Sequence, residues 1–313
     1  MYISAAVGLV LLFGGGEFLV RGAVSLSRRL GLSPLLVGMT VVAGCTSAPE
    51  LVVSLGAALE GRSDIAVGNV VGSNIFNVLG VLGAAALIAP ILVDPRALRR
   101  DTAVMLLSAM ALVGIAATGE IGAVSGAVLL LGMVAYVALS YRSESRRPTL
   151  PSATLHEHVS AEVTPPGSAL SGALYLAGGL TALVIGSRFL ISGASEIARA
   201  YGVPEAVIGL SLVAAGTSLP ELATSIIAAV RRHADVAVGN VVGSNIFNIL
   251  GILGITALVK PVGVAQQIAS VDVWVMMGTS ALLAVLLLSR GRIGRGMGVV
   301  FLGAYLAYLI VLF

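Results

Sequence analysis

Residues 64–80 read DIAVGNVVGSNIFNVLG and residues 235–251 read DVAVGNVVGSNIFNILG, the same seventeen residues but for two exchanges of Ile and Val. The register continues well beyond this segment. At an offset of 171, Phe18 falls on Phe189, Gly31 on Gly202, Gly38 on Gly209, Pro90 on Pro261 and Asp101 on Asp272, without a gap. The chain is therefore two homologous halves, residues 1–141 and 168–313. They are joined by residues 142–167, the one long polar stretch with Pro and Ser. Any fold must give the two copies equivalent surroundings.

Those surroundings are a bilayer. Hydrophobic residues make up 58% of the chain, charged residues 11%, and the mean hydropathy is +1.04, far from a soluble domain with a polar surface. Apolar runs of about 20 residues, each enough to cross roughly 30 Å of hydrocarbon as a helix, recur ten times. They fall at 3–26, 34–60, 64–90, 101–118, 121–141, 168–196, 204–231, 235–260, 270–289 and 294–313. The first has no basic residue ahead of it and reads as a retained helix, not a cleaved leader. The net charge of +3 is spread thinly through loops, with no basic stripe for nucleic acid. Cys45, the single cysteine, excludes an internal disulfide and a cysteine-based metal cluster.

Each half holds five spans. Five is odd, so the second half enters the membrane upside down relative to the first. The charges agree. With both termini outside, the inside loops carry thirteen arginines (Arg28, Arg29, Arg96, Arg99, Arg100, Arg142, Arg146, Arg147, Arg231, Arg232, Arg290, Arg292 and Arg295), whereas the outside loops carry Arg62, Arg199 and Lys260. The expected fold is an all-α membrane protein of ten helices in two inverted five-helix repeats, lying in the plasma membrane. That is an architecture of secondary transporters, with the substrate site at the repeat interface near the midplane.

Polar residues at that depth point to a cation. The second span contains GCTSAPELVVS and the seventh GTSLPELATS. An ionised carboxylate there costs about 2.5–3.5 kcal/mol even on insertion scales, so Glu50 and Glu221 need a countercharge. Pro49 and Pro220 remove a backbone donor and oppose a regular helix through the preceding turn, which frees carbonyls around Ala43–Thr46 and Ala214–Thr217. In the third and eighth spans Ser73 and Asn77, like Ser244 and Asn248, lie four residues apart on one helical face. Gly68-x-x-x-Gly72 and Gly239-x-x-x-Gly243 allow close approach to the Glu-bearing helices. The pooled donors are all hard oxygens, which suits Na+ or Ca2+ and lacks the imidazole and thiolate of zinc or copper sites.

Two carboxylates about 5 Å apart at an effective dielectric near 20 repel by roughly 3 kcal/mol. Bare double ionisation is therefore disfavoured, and metal ions and protons are expected to compete for the pair. One Ca2+ cancels its charge, as do two Na+.

At GCTSAPE, GTSLPE and the two GNVVGSNIFN segments the sequence resembles the repeats of the sodium/calcium exchangers in the cation/calcium antiporter superfamily, over essentially all ten spans. The resemblance implies that Glu50 and Glu221 coordinate Ca2+ together with the carbonyls of Thr46 and Thr217. It implies sodium ligands at Ser47, Ser73, Asn77, Ser218, Ser244 and Asn248 and at the carbonyls of Ala43 and Ala214. It further implies alternating access by sliding of the first and sixth helices against the remainder. Potassium-dependent relatives tend to have Asp where this chain has Asn248, so potassium dependence is not expected. The linker has no room for the large calcium-sensing domains of animal exchangers. Cys45 stands where the other half has Gly216, beside the implied ion path.

The function expected is antiport of Na+ against Ca2+ by a cofactor-free monomer whose partners are the two ions and the bilayer; an H+/Ca2+ antiporter of the same fold is the alternative. A channel has no need of a closed, charge-balanced ligand set. An intramembrane hydrolase needs a nucleophile and base pair that is not found, so the chain is not expected to be an enzyme. Other polar residues have ordinary readings. Asn74 and Asn245 either join the ligands or brace a broken helix. Asp64, Asp235, Asp101 and Asp272 begin spans as N-caps, and Glu17 and Arg21 form a helical ion pair that Arg188 replaces in the second half. His156-Glu157-His158 lacks the HExxH pattern of a zinc protease.

Overall fold

The computed structural model describes residues 1–145, 169–202 and 216–312. Eleven helices run through them: α1 (Tyr2–Leu30), α2 (Leu35–Thr46), α3 (Ala48–Leu59), α4 (Ser63–Ile88), α5 (Pro95–Ala116), α6 (Ala123–Ser145), α7 (Ala169–Ala200), α8 (Leu219–Val230), α9 (Ala234–Val259), α10 (Ile268–Arg290) and α11 (Arg295–Leu312). α2 and α3 form one span, bent by 44° at Ser47. α8 is the described part of the seventh span. The protein is an all-α membrane protein whose ten spans form two five-helix repeats.

Among the described residues six helices are individually long and apolar enough to cross a membrane, and the bent α2–α3 pair makes a seventh. α5 carries charge instead: it starts at Pro95, earlier than expected, with the Asp94 side chain accepting from the Arg96 amide (2.9 Å). Asp101 is therefore not a cap. It lies inside α5, buried, and pairs with Arg100 at 2.8 Å. Asp272 likewise makes no cap bond but accepts from the Tyr308 hydroxyl at 3.0 Å. Asp64 and Asp235 stand in the first turns of α4 and α9, not at the cap positions, which are Arg62 and His233. An acidic side chain one residue inside the helix still faces the positive end of the helix dipole.

α4 and α9, which carry the duplicated segment, occupy the centre: 72% and 83% of their apolar stretches are buried, against 33% for α1, 28% for α6 and 22% for α7. Their Ser and Asn residues cannot face lipid without losing hydrogen bonds, so these helices go inside. Each changes to a wider π-helical turn at its Asn, over Asn77–Val81 and Phe247–Leu253, a distortion common at functional sites.

Two short antiparallel ladders fix the relation of the halves. Ile91–Leu92 (β1) pairs with Arg292–Ile293 (β4), and Glu120–Ile121 (β2) pairs with Val262–Gly263 (β3). Each ladder joins the loop after the third span of one half to the loop after the fourth span of the other. Those loops share a side of the membrane only if one half is inverted.

α1 and α7 form a separate antiparallel pair. Gly8, Gly15 and Gly22 recur every seven residues on one, and Gly179, Gly186 and Gly193 on the other. A Cβ at any of these would lie 2.4–2.9 Å from backbone atoms of the partner helix. A seven-residue repeat keeps one face towards the neighbour, and glycine lets the backbones touch. The close approach expected for Gly239 and Gly243 is made, against the backbone of Leu35 and Met39. The equivalent neighbours of Gly68 and Gly72, residues 206 and 210, lie outside the described residues.

Overpacking such a contact costs about 1–3 kcal/mol. Gly15→Val and Gly186→Val should therefore each lower the unfolding temperature of the detergent-purified protein by several degrees. Gly178→Val, at a position with nothing within 4 Å, should shift it far less.

Candidate functional site

Both glutamates follow a helix break. Ser47 (φ −81°, ψ 5°) and Ser218 (φ −90°, ψ 10°) leave helical geometry, and the next helix begins with Pro49 or Pro220 in its first turn. This sets Glu50 and Glu221 in the first turns of α3 and α8, where the amides at the helix N-terminus favour negative charge. Both carboxylates are buried, at 1% and 0% exposure.

The two halves hold each other's glutamate. Ser218 Oγ donates to Glu50 Oε1 (2.8 Å), and Ser47 Oγ donates to Glu221 Oε1 (3.0 Å). Each serine lies three residues before the glutamate of its own half. Ser218 Oγ is also 3.1 Å from Ser73 Oγ, which ties α4 to the cluster. Ser244 and Thr46 face the Glu221 carboxylate, Ser244 without completing a hydrogen bond.

Behind the carboxylates the asparagines of α4 and α9 cross at the centre. Asn74 Nδ2 donates to the Asn245 carbonyl (3.5 Å) and Asn245 Nδ2 to the Asn74 carbonyl (3.3 Å). Asn77 Nδ2 donates to Asn245 Oδ1 (3.1 Å) and Asn248 Nδ2 to Asn74 Oδ1 (3.0 Å). Asn74 and Asn245 are thus braces: their side-chain oxygens are used, and they orient the amides of Asn77 and Asn248 so that those oxygens remain. Asn77 Oδ1, Asn248 Oδ1, Ser244 Oγ, Glu50 Oε2 and Glu221 Oε2 are all buried without a hydrogen-bond partner.

A buried unsatisfied polar atom costs about 1–3 kcal/mol. Five in one cluster cost about 5–15 kcal/mol, comparable to the whole stability of a typical domain. All five are acceptors in the species that could bind a cation, and among the described residues no three His, Cys, Asp or Glu side chains converge. The arrangement suits a hard cation held by two carboxylates and neutral oxygens.

The structure brings together Glu50, Glu221, Thr46, Thr217, Ser47, Ser218, Ser73, Ser244, Asn77 and Asn248. Ala43 is buried beside them, but its carbonyl already accepts from the Ser47 amide (3.0 Å) and the Thr46 hydroxyl (3.3 Å), so the break at Pro49 does not free it. Ala214 lies outside the described residues, as do His156-Glu157-His158. Cys45 is half-buried and unbonded to another cysteine.

Asn69 and Asn240 are additions to the sequence reading. Asn240 Nδ2 donates to the Glu221 carbonyl (3.3 Å) and to Ser225 Oγ (3.0 Å), and its Oδ1 accepts from Thr46 Oγ1 (3.1 Å). Asn69 repeats this with the Glu50 carbonyl (3.2 Å), Ser54 Oγ (2.9 Å) and Thr217 Oγ1 (3.4 Å). Each fixes the backbone of one glutamate and the threonine of the opposite half. The available signal was the shared spacing of Ser54 to Asn69 and Ser225 to Asn240.

Comparison with known proteins agrees with this geometry. Residues 2–142 and 171–313 match the family described as sodium/calcium exchanger protein. The chain is 39% identical to the candidate antiporter CaxA of Alkalimonas amylolytica, over 99% of this chain and 98% of that one. It is 32% identical to the sodium/calcium exchanger MaX1 of Methanosarcina acetivorans, over 100% and 98%. Its fold superposes on the sodium-calcium exchanger NCX_Mj with a TM-score of 0.83 at 32% identity, covering 99% of this chain and 98% of that one. The family is one of transporters without a cofactor, not of enzymes, and this chain belongs to the sodium/calcium exchanger family.

Proposed function

We propose that the protein exchanges Na+ for Ca2+ by alternating access, and that the cluster around Glu50 and Glu221 is the cargo site. The observation that carries this is the set of five partnerless buried acceptors, all on residues of the duplicated motifs and reached from both halves. The names of MaX1 and NCX_Mj support the choice of ions.

In this reading the two carboxylates, the hydroxyls of Ser47, Ser73, Ser218 and Ser244, the amide oxygens of Asn77 and Asn248 and the backbone at Thr46 and Thr217 share the ligation. One Ca2+ or two Na+ neutralises the pair, so the two cargoes exclude each other. Ser47 and Ser218 release the glutamates to a metal by rotating their hydroxyl hydrogens, at little conformational cost. Repeats at 1–141 and 168–313, with 142–167 between them, are supported by the ranges of the family match. Each half completes the other's ligand set within one chain, which supports a monomer acting without a protein partner. The thirteen inside arginines support termini outside, in the plasma membrane.

In vesicles, an outward-directed Na+ gradient should drive Ca2+ uptake, and Glu50→Gln and Glu221→Gln should each abolish it while the protein keeps its thermal stability. Uptake that follows an imposed proton gradient and ignores Na+ overturns the choice of driving ion. Acidifying both faces equally through the carboxylate range should slow exchange: protonation removes the countercharge on which Ca2+ depends, and no proton gradient is present to drive flux. Asn240→Ala should raise the Ca2+ concentration for half-maximal uptake by about tenfold, as loss of a group that orients a ligand does; saturation measured at fixed Na+ gradient checks it.

A further inference from the structure

The halves share a sequence plan but not a conformation. α1 lies along α8: a Cβ on Gly16 would be 3.3 Å from the Ala223 carbonyl oxygen, and Ala223 and Thr224 are 6% and 0% exposed. The equivalent helices are α7 and α3. There Val52 and Val53, equivalent to Ala223 and Thr224, are 68% and 38% exposed, and α7 makes no comparable contact with α3. Among the described residues α1 thus covers α8, whereas α7 leaves α3 uncovered.

An ion pair ties α1 to the end of α8. Glu17 of α1, largely buried, accepts from Arg231 at the end of α8 (3.0 Å from Nε, 2.8 Å from Nη2) and from Arg21 (2.6 Å). At the offset of 171, Glu17 becomes Arg188 on α7 and Arg231 becomes Glu60 at the end of α3. Both signs are reversed, so the attraction is kept; one change alone would have set like charges face to face. Arg188 is exposed part-way along a membrane-spanning helix and has no ion pair among the described residues, and Glu60 is held by Arg62 at 2.7 Å with both side chains more than half exposed. A lone arginine at that depth is costly unless water or an acidic partner reaches it.

We propose that Glu60 and Arg188 are the second of two alternating latches. When the glycine-zipped α1–α7 pair shifts so that α7 covers α3, Arg188 takes Glu60 from Arg62 while Glu17 and Arg231 separate. Inverted repeats make the two end states mirror one another, so the contacts that α1 makes with α8 in one state are those that α7 makes with α3 in the other. This rests on the alternating-access reading above. Each latch holds its own end when that end is closed and touches no ion, which makes all four side chains positioning residues.

The test uses Cys45→Ser protein in vesicles carrying either Glu17→Cys with Arg231→Cys or Glu60→Cys with Arg188→Cys, treated with a short bifunctional thiol reagent in Na+ or in Ca2+. Both pairs should cross-link. Failure of 60 with 188 in every ionic condition, while 17 with 231 links, overturns the proposal. In the second arm Glu60→Arg and Arg188→Glu should each slow exchange roughly three- to tenfold, in keeping with a partly exposed pair turned repulsive, and the double reversal should recover it. A double variant as slow as the singles also overturns the proposal. Cross-linking reads conformation without flux, so alternating cross-links in protein that carries no Na+-driven Ca2+ would leave the latches standing and remove the exchange reading instead.

Discussion

Two carboxylates buried at the middle of a membrane cannot both remain charged and alone, and the rest of the architecture answers that constraint. Two carboxylates about 5 Å apart repel by roughly 3 kcal/mol at an effective dielectric near 20, before desolvation is counted. Each Glu receives one hydroxyl, from Ser47 or Ser218, and that hydroxyl comes from the opposite half. One oxygen of each carboxylate is satisfied in this way and the other is not. The hydrogen bonds hold the groups in place without neutralising them, which leaves the charge for a cation to balance.

The asparagines show how a site can be kept rigid without filling it. Four lie in the two copies of GSNIFN, and the structure divides them by role: Asn74 and Asn245 use their amides on each other's backbone, whereas Asn77 and Asn248 donate to those braces and keep their oxygens. A second tier, Asn69 and Asn240, pins the backbone of each glutamate and reaches the threonine of the opposite half. Each tier bridges the halves, which ties the core into one body. The α1–α7 pair touches that core unequally on its two sides.

Much of this was legible in the sequence because duplication marks residues twice. Ten spans, the inversion, the paired glutamates and the Ser and Asn faces follow from apolar run length, an odd span count and the cost of polar groups in hydrocarbon. What was not legible involves geometry between distant segments. The glycines at 8, 15 and 22 and at 179, 186 and 193 belong to no local motif, and their meaning is visible only when α1 and α7 lie together. Asp101 looked like a cap because its span was judged by hydropathy, whereas α5 begins six residues earlier, at Pro95, and runs through Arg96, Arg99 and Arg100. The brace role of Asn74 and Asn245 was undecidable from spacing, since ligand and brace share one helical face.

In the exchange we propose, obligatory coupling follows from the same electrostatics. A site with charge near −2 that closes without cargo traps the repulsion in low dielectric, and about 3 kcal/mol suppresses that closed state by roughly a hundredfold. A site holding one Ca2+, or two Na+, closes without this cost. On that proposal, movement of the α1–α7 pair is coupled to occupancy because the empty cluster is the wrong charge to seal. No separate gating element is needed for that coupling; the peripheral charges at positions 17, 60, 188 and 231 have only to keep the two closed ends comparable in energy, so that neither occupied state becomes a trap.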